Sequence, residues 1–145
     1  MKISNLFVKE VITATPHDSL ADVAKLMERH NVGAIVVVEQ DRPVGIVTDR
    51  DIAIAACARN VSPDEHVQEV MTCPVSTMNQ NEGIYNATQH MMELGARRLP
   101  VVDSVGRLVG LVTLDDLVLL IKDHYERFDV DGRVLLPLVP IYMPG

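Results

Sequence analysis

A chain of 145 residues, 48% of them apolar, is too apolar to stay unfolded and has room for one domain or two intimately packed halves. A net charge of -7 and an aromatic content of 3% argue against nucleic-acid and anionic-membrane surfaces, which call for cations and stacking rings. No apolar run approaches the roughly 20 residues of a membrane span, residues 1–10 lack the pattern of a secretion signal, and Cys57 and Cys73 are too few for a disulfide framework, so a cytoplasmic setting and plain buried thiols are expected.

Residues 11–13 predict a short strand. Asp18 or Ser19 then caps a helix whose apolar stripe is Leu20, Val23 and Met27. Residues 34–38, Ala-Ile-Val-Val-Val, suit a strand buried on both faces. A turn at residues 40–42 leads to a strand over residues 44–47, and a helix opens after Thr48. Residues 59–69 are polar, carry Ser62-Pro63-Asp64 and read as a linker. The same grammar then returns. Residues 75–77 predict a strand, Asn81 caps a helix with the stripe Ile84, Ala87 and Met91, and Gly95 stops it. Strands follow at residues 99–102, where Pro100 requires a strand start or an edge, and at residues 108–112; a helix opens after Thr113. Met27, Met91 and Met92 read as core filler. From residue 128 the chain is apolar and broken by Pro137, Pro140 and Pro144, so this tail is expected to pack on the body or on a partner.

The repetition is residue by residue. Leu20 answers Ile84, Met27 answers Met91 and Ile35 answers Leu99 at one constant offset; after the turn Gly45, Thr48 and Asp51 answer Gly110, Thr113 and Asp116, one residue later. The inserted residue falls between Gln40-Asp41-Arg42 and Ser104-Val105-Gly106-Arg107, where turns tolerate it. Two units of strand, helix, strand, strand, helix follow: residues 7–60 and 71–126, joined by a linker at 61–70 and trailed by residues 127–145.

The strongest chemical signal is Gly-h-x-Thr-x-x-Asp (h is aliphatic), present in both units at a strand-to-helix junction. It has two readings. Thr with an acid three residues on is a capping box. The same helix end also suits a ligand: free N–H groups and the dipole favour phosphate, the hydroxyl donates to it, and the carboxylate accepts ribose hydroxyls. The five histidines fall at no metal-ligand spacing, and no nucleophile elbow, P-loop or Cys–His signature is present.

The element order, Leu99-Pro-Val-Val-Asp103 and the paired motifs together resemble the CBS-domain family over about residues 7–126. That resemblance implies an α/β (α+β) module of two pseudo-symmetric β-α-β-β-α units, with two three-stranded sheets, helices packed between them and two clefts about a pseudo-twofold axis. It implies a non-catalytic regulatory module whose clefts take AMP, ADP, ATP, NAD or S-adenosylmethionine, with no obligatory cofactor and no metal. Asp51 and Asp116 would hold ribose, and Thr48 and Thr113 phosphate. Val32, Gly33 and Ala34, with Ala96, Arg97 and Arg98, would line base and phosphate, and Val11 and Val75 would flank the adenine. Arg97 and Arg98 are good phosphate partners, as is Arg50, so each cleft is expected to hold one basic asset. Unit one has Val36 where unit two has Pro100. A homodimer is expected, acting in trans on a partner protein. The rivals are a structural or interaction protein with degenerate clefts that docks through its tail, and a redox module using Cys57 and Cys73.

Overall fold

The computed structural model describes residues 10–126. In chain order they form β1 (Thr13–Ala14), α1 (Leu20–His30), β2 (Ala34–Glu39), β3 (Arg42–Thr48), α2 (Asp49–Ala53), β4 (Met78–Asn79), α3 (Ile84–Leu94), β5 (Arg98–Val102), β6 (Leu108–Thr113) and α4 (Leu114–Glu126). A π-helical turn, Ile54–Ala58, continues α2, and a single 3-10 turn, Val67–Glu69, lies in the linker. The tail from residue 127 lies outside the described residues, so the packing expected for it is not addressed further.

Two three-stranded sheets result, ordered β1-β2-β3 and β4-β5-β6. In each, the first strand runs parallel to the second, with a helix crossing between them, and the third is antiparallel. The registers prove the internal repeat: Ala34 pairs with Thr48 and Arg98 with Thr113, and each central strand slips register once, after Val37 and after Val101. The first hairpin closes with Gln40 and Asp41 at φ 51° and 64°, the two-residue turn that matches strand twist. The second takes the longer turn through Gly106 at φ 89°, and there Asp103 accepts from the N–H of Val105 and of Arg107. The backbone N–H of Arg107 is the largest cause holding the Asp103 carboxyl below its usual range.

Each unit buries its own core. Ala14, Leu20, Val23, Met27, Ile35, Val37 and Val47 fill the first; Met78, Ile84, Ala87, Met91, Leu99, Val101, Val112, Leu114 and Leu117 fill the second. The linker is less polar in effect than its composition. Val67 is fully buried in the first core, and Val61, Val70 and Met71 pack against it; burying one such side chain is worth about 1.5–3 kcal/mol.

Several expectations change. The parallel strands are Thr13–Ala14 and Met78–Asn79, later than residues 11–13 and 75–77, because only these face Val36-Val37 and Val101-Val102. Ser19 caps α1 by accepting from Asp22 N–H, but its repeat mate Gly83, not Asn81, begins α3 and brings no side-chain cap. Pro100 is the third residue of β5, not its start. It is tolerated because its mate Val36 sends its N–H to Ile12, and the position facing Pro100 precedes β4. Met92 is exposed and not core filler, on the outer side of α3 from Met91. Cys57 and Cys73 are free and exposed, not buried.

Gly45 on β3 is covered by Met71: a Cβ there would overlap the Met71 side chain. Gly45→Ala is therefore expected to destabilise by about 1–3 kcal/mol, read as a lower denaturant midpoint. Much of that loss should return in Gly45→Ala with Met71→Ala; additive losses would contradict the contact.

Candidate functional site

The motif threonines and aspartates lie at the ends of β3 and β6, where α2 and α4 begin. In unit one the capping box is complete. Thr48 Oγ1 accepts from the Asp51 N–H at 3.2 Å, and Asp51 Oδ2 accepts from the Thr48 N–H at 2.9 Å. The other amides of this helix end are also taken: Asp49 N–H donates to the Gly33 carbonyl at 3.0 Å and Arg50 N–H to Asp49 Oδ1 at 2.8 Å. Unit two repeats two of these bonds, from Leu114 N–H to the Arg97 carbonyl at 2.8 Å and from Asp116 N–H to Thr113 Oγ1 at 3.2 Å. The amides therefore close the fold internally, and side chains carry most of what is left for a ligand at these junctions.

A cleft of about 280 Å³ opens between the units. Its walls are Glu10, Val11, Ile12, Val32, Gly33 and Ala34 from unit one and Arg98, Leu111, Thr113 and Asp116 from unit two. Seven of the thirteen residues singled out from the sequence thus meet in one place. The cleft is crossed: the adenine-flanking and lining positions of unit one face the motif of unit two. Val75, Ala96, Arg97, Thr48, Arg50 and Asp51 do not line it; most of them are the repeat mates of residues that do.

Of the three arginines singled out from the sequence, one lines this cleft. Arg98, half-buried, lines the described cleft, whereas Arg97 and Arg50, the repeat mates of Gly33 and Asp115, do not. The sequence reading also passed over Glu10, Ile12 and Leu111. Leu111 was legible: with Val109 and Thr113 it shares the half-buried face of β6, at strand period two.

A larger space of about 520 Å³ adjoins, sharing Val11 as a wall and edged by Thr13, Asp41, Asp103 and Arg107. Here the hairpins of the two units touch. Leu108 N–H donates to the Asp41 carbonyl at 2.8 Å, and Arg107 pairs with Asp103 at 3.0 Å. The His17 and His66 rings meet edge to face at 5.2 Å, away from both spaces.

Comparison with known proteins agrees with this architecture. The model of the CBS domain matches twice, over residues 3–57 and 67–123. The chain belongs to the CBS-domain family. Among curated relatives, the Methanopyrus kandleri protein MK0525 is 37% identical over 129 residues, covering 83% of this chain and 66% of that one. The CBS domain-containing protein YhcV of Bacillus subtilis is 40% identical over 115 residues, covering 79% and 81%. Among solved structures, the CBS domain pair of protein MJ0100, in complex with 5′-methylthioadenosine and S-adenosyl-L-methionine, has a TM-score of 0.75 at 30% identity and covers 86% of this chain and 98% of that one. The CBS pair shown here is thus similar to one that binds adenosyl ligands.

The capping role is separable from any ligand role. Thr48→Ala should lower stability by about 1 kcal/mol in ligand-free protein, measured by denaturant unfolding. No loss would mean that the Thr48–Asp51 box does not form in solution.

Proposed function

We propose that this chain is a non-catalytic regulatory module that binds an adenosyl ligand, either a nucleotide of the AMP, ADP, ATP or NAD type or S-adenosylmethionine, in clefts between its two units. The observation that carries the reading is the meeting of Thr113 and Asp116 with Val11, Val32, Gly33 and Ala34 across the unit boundary. The apolar wall of Val11, Ile12 and Val32 suits a purine face. Asp116 accepts ribose hydroxyls, the Thr113 hydroxyl donates to the 5′ substituent, and Arg98 meets an anionic group. Thr48, Asp51, Arg50, Val75, Ala96 and Arg97 do the same for the second cleft. The known binding of adenosyl compounds by the similar pair of MJ0100 supports this assignment.

Signalling follows from the crossing. A ligand that touches both units stabilises the arrangement in which the cleft fits it, and a partner protein reads the shifted population in trans. A homodimer joined through the helices is part of the proposal: Ile54, Tyr85, Met92 and Leu119 expose apolar surface on α2's extension, α3 and α4. The setting is cytoplasmic; no helix of the described residues is long and apolar enough to cross a membrane.

The test is thermal unfolding of the full chain against AMP, ADP, ATP, NAD, 5′-methylthioadenosine and S-adenosylmethionine. Ligand at about a hundred times its Kd adds roughly 2.7 kcal/mol, a rise of about 5–10 °C at this chain length. The rise should fall away in Asp116→Ala or Asp51→Ala, according to the cleft used. A flat response to all six would instead favour a module with degenerate clefts that docks through its tail.

A further inference from the structure

We infer that the cleft lined by Asp116 selects an adenosyl compound whose 5′ substituent is uncharged, cationic or zwitterionic, a thioether or sulfonium for example, and disfavours nucleoside polyphosphates. The inference rests on the adenosyl reading above and assigns the ligand class of that one cleft. Its first support is charge. Glu10 and Asp116 line the cleft and Asp115 shares the first turn of α4 with Asp116. Asp49 closes over Gly33, where a Cβ would stand 3.3 Å from its Oδ2. Against these carboxylates the cleft lining offers one cation, Arg98, which makes no ion pair with any described residue. One guanidinium suffices for a single carboxylate; a polyphosphate there would face the acids with its remaining charges.

The second support is the backbone. Of the first three amides of α4, Leu114 N–H is spent on the Arg97 carbonyl and Asp116 N–H on Thr113 Oγ1, so that of Asp115 alone is left for a phosphate oxygen. The third is an internal control. At two positions the repeat mates differ in the same direction, Gly33 against Arg97 and Asp115 against Arg50, while the mates Ala34 and Arg98 both line the described cleft. The described cleft has the neutral Gly33 in its lining and the acidic Asp115 next to its Asp116, and the same chain carries Arg97 and Arg50 at the mate positions.

Isothermal titration of the full chain with S-adenosylmethionine, 5′-methylthioadenosine, AMP and ATP tests this, since heat lost in both Asp116→Ala and Asp116→Asn belongs to this cleft. The sulfonium or the thioether is expected to bind it at least about tenfold more tightly than AMP or ATP, and Gly33→Arg should narrow that gap by about tenfold at low salt. Asp116-dependent binding of AMP or ATP as tight as that of the other two would overturn the charge selection while leaving the adenosyl reading intact. The absence of Asp116-dependent heat with all four compounds would overturn both.

Discussion

The linker's grip on unit one is the constraint on which the rest depends. Leu20 and Ala21 N–H groups donate to the carbonyls of Glu65 and Pro63, and the N–H groups of Val67 and Gln68 return bonds to Asp18 and Pro16. Val67 then plugs the first core, Met71 caps Gly45, and Thr72 exchanges two backbone bonds with Ile46 on the free edge of β3. A flexible tether would leave the units to find each other; this strap delivers the start of unit two onto the sheet of unit one at a fixed register. In the crossed cleft the lead-in segment of unit one, Val11 and Ile12, accordingly meets the motif junction of unit two, Thr113 and Asp116.

The two readings of Thr-x-x-Asp are not competitors. Most of these amides and one lone pair of each threonine oxygen are engaged in closing the helix start, with bonds of 2.8–3.2 Å. That leaves each threonine its hydroxyl proton and each aspartate spare lone pairs, the donor and acceptor that a ribose and its 5′ substituent require. The complete box of unit one fixes both side chains, and in unit two the bond from Asp116 N–H fixes Thr113, so a ligand meets groups that are partly preorganised and less ordering entropy is lost on binding.

Much of this was legible in the sequence, for identifiable reasons. The two units, their strands and their helical stripes are written in periodicity and in a repeat that strand register reproduces residue for residue. Gly95 stops α3 at φ 64°, and its mate Asn31 stops α1 at φ 51°, both in the left-handed region those residues tolerate. What escaped was tertiary. Pro100 survives in mid-strand because the position facing its nitrogen precedes β4, a fact about the neighbouring strand and not about β5. Asn81 has a capping side chain, but the helix begins after Gly83, where the stripe first faces the core. Cys57 and Met92 lie outside because helix orientation, not hydrophobicity, decides which side of a turn is covered, and Cys73 lies in the irregular segment before β4.

The central claim is that one ligand engages both units at once, and an NMR titration of isotope-labelled full chain with 5′-methylthioadenosine or S-adenosylmethionine tests it most directly. The account predicts that the backbone amides of Val32, Gly33 and Ala34 in unit one and of Thr113 and Asp116 in unit two shift together along one binding curve. Shifts confined to a single unit, or two groups that saturate at different ligand concentrations, would contradict a cleft built by the crossing.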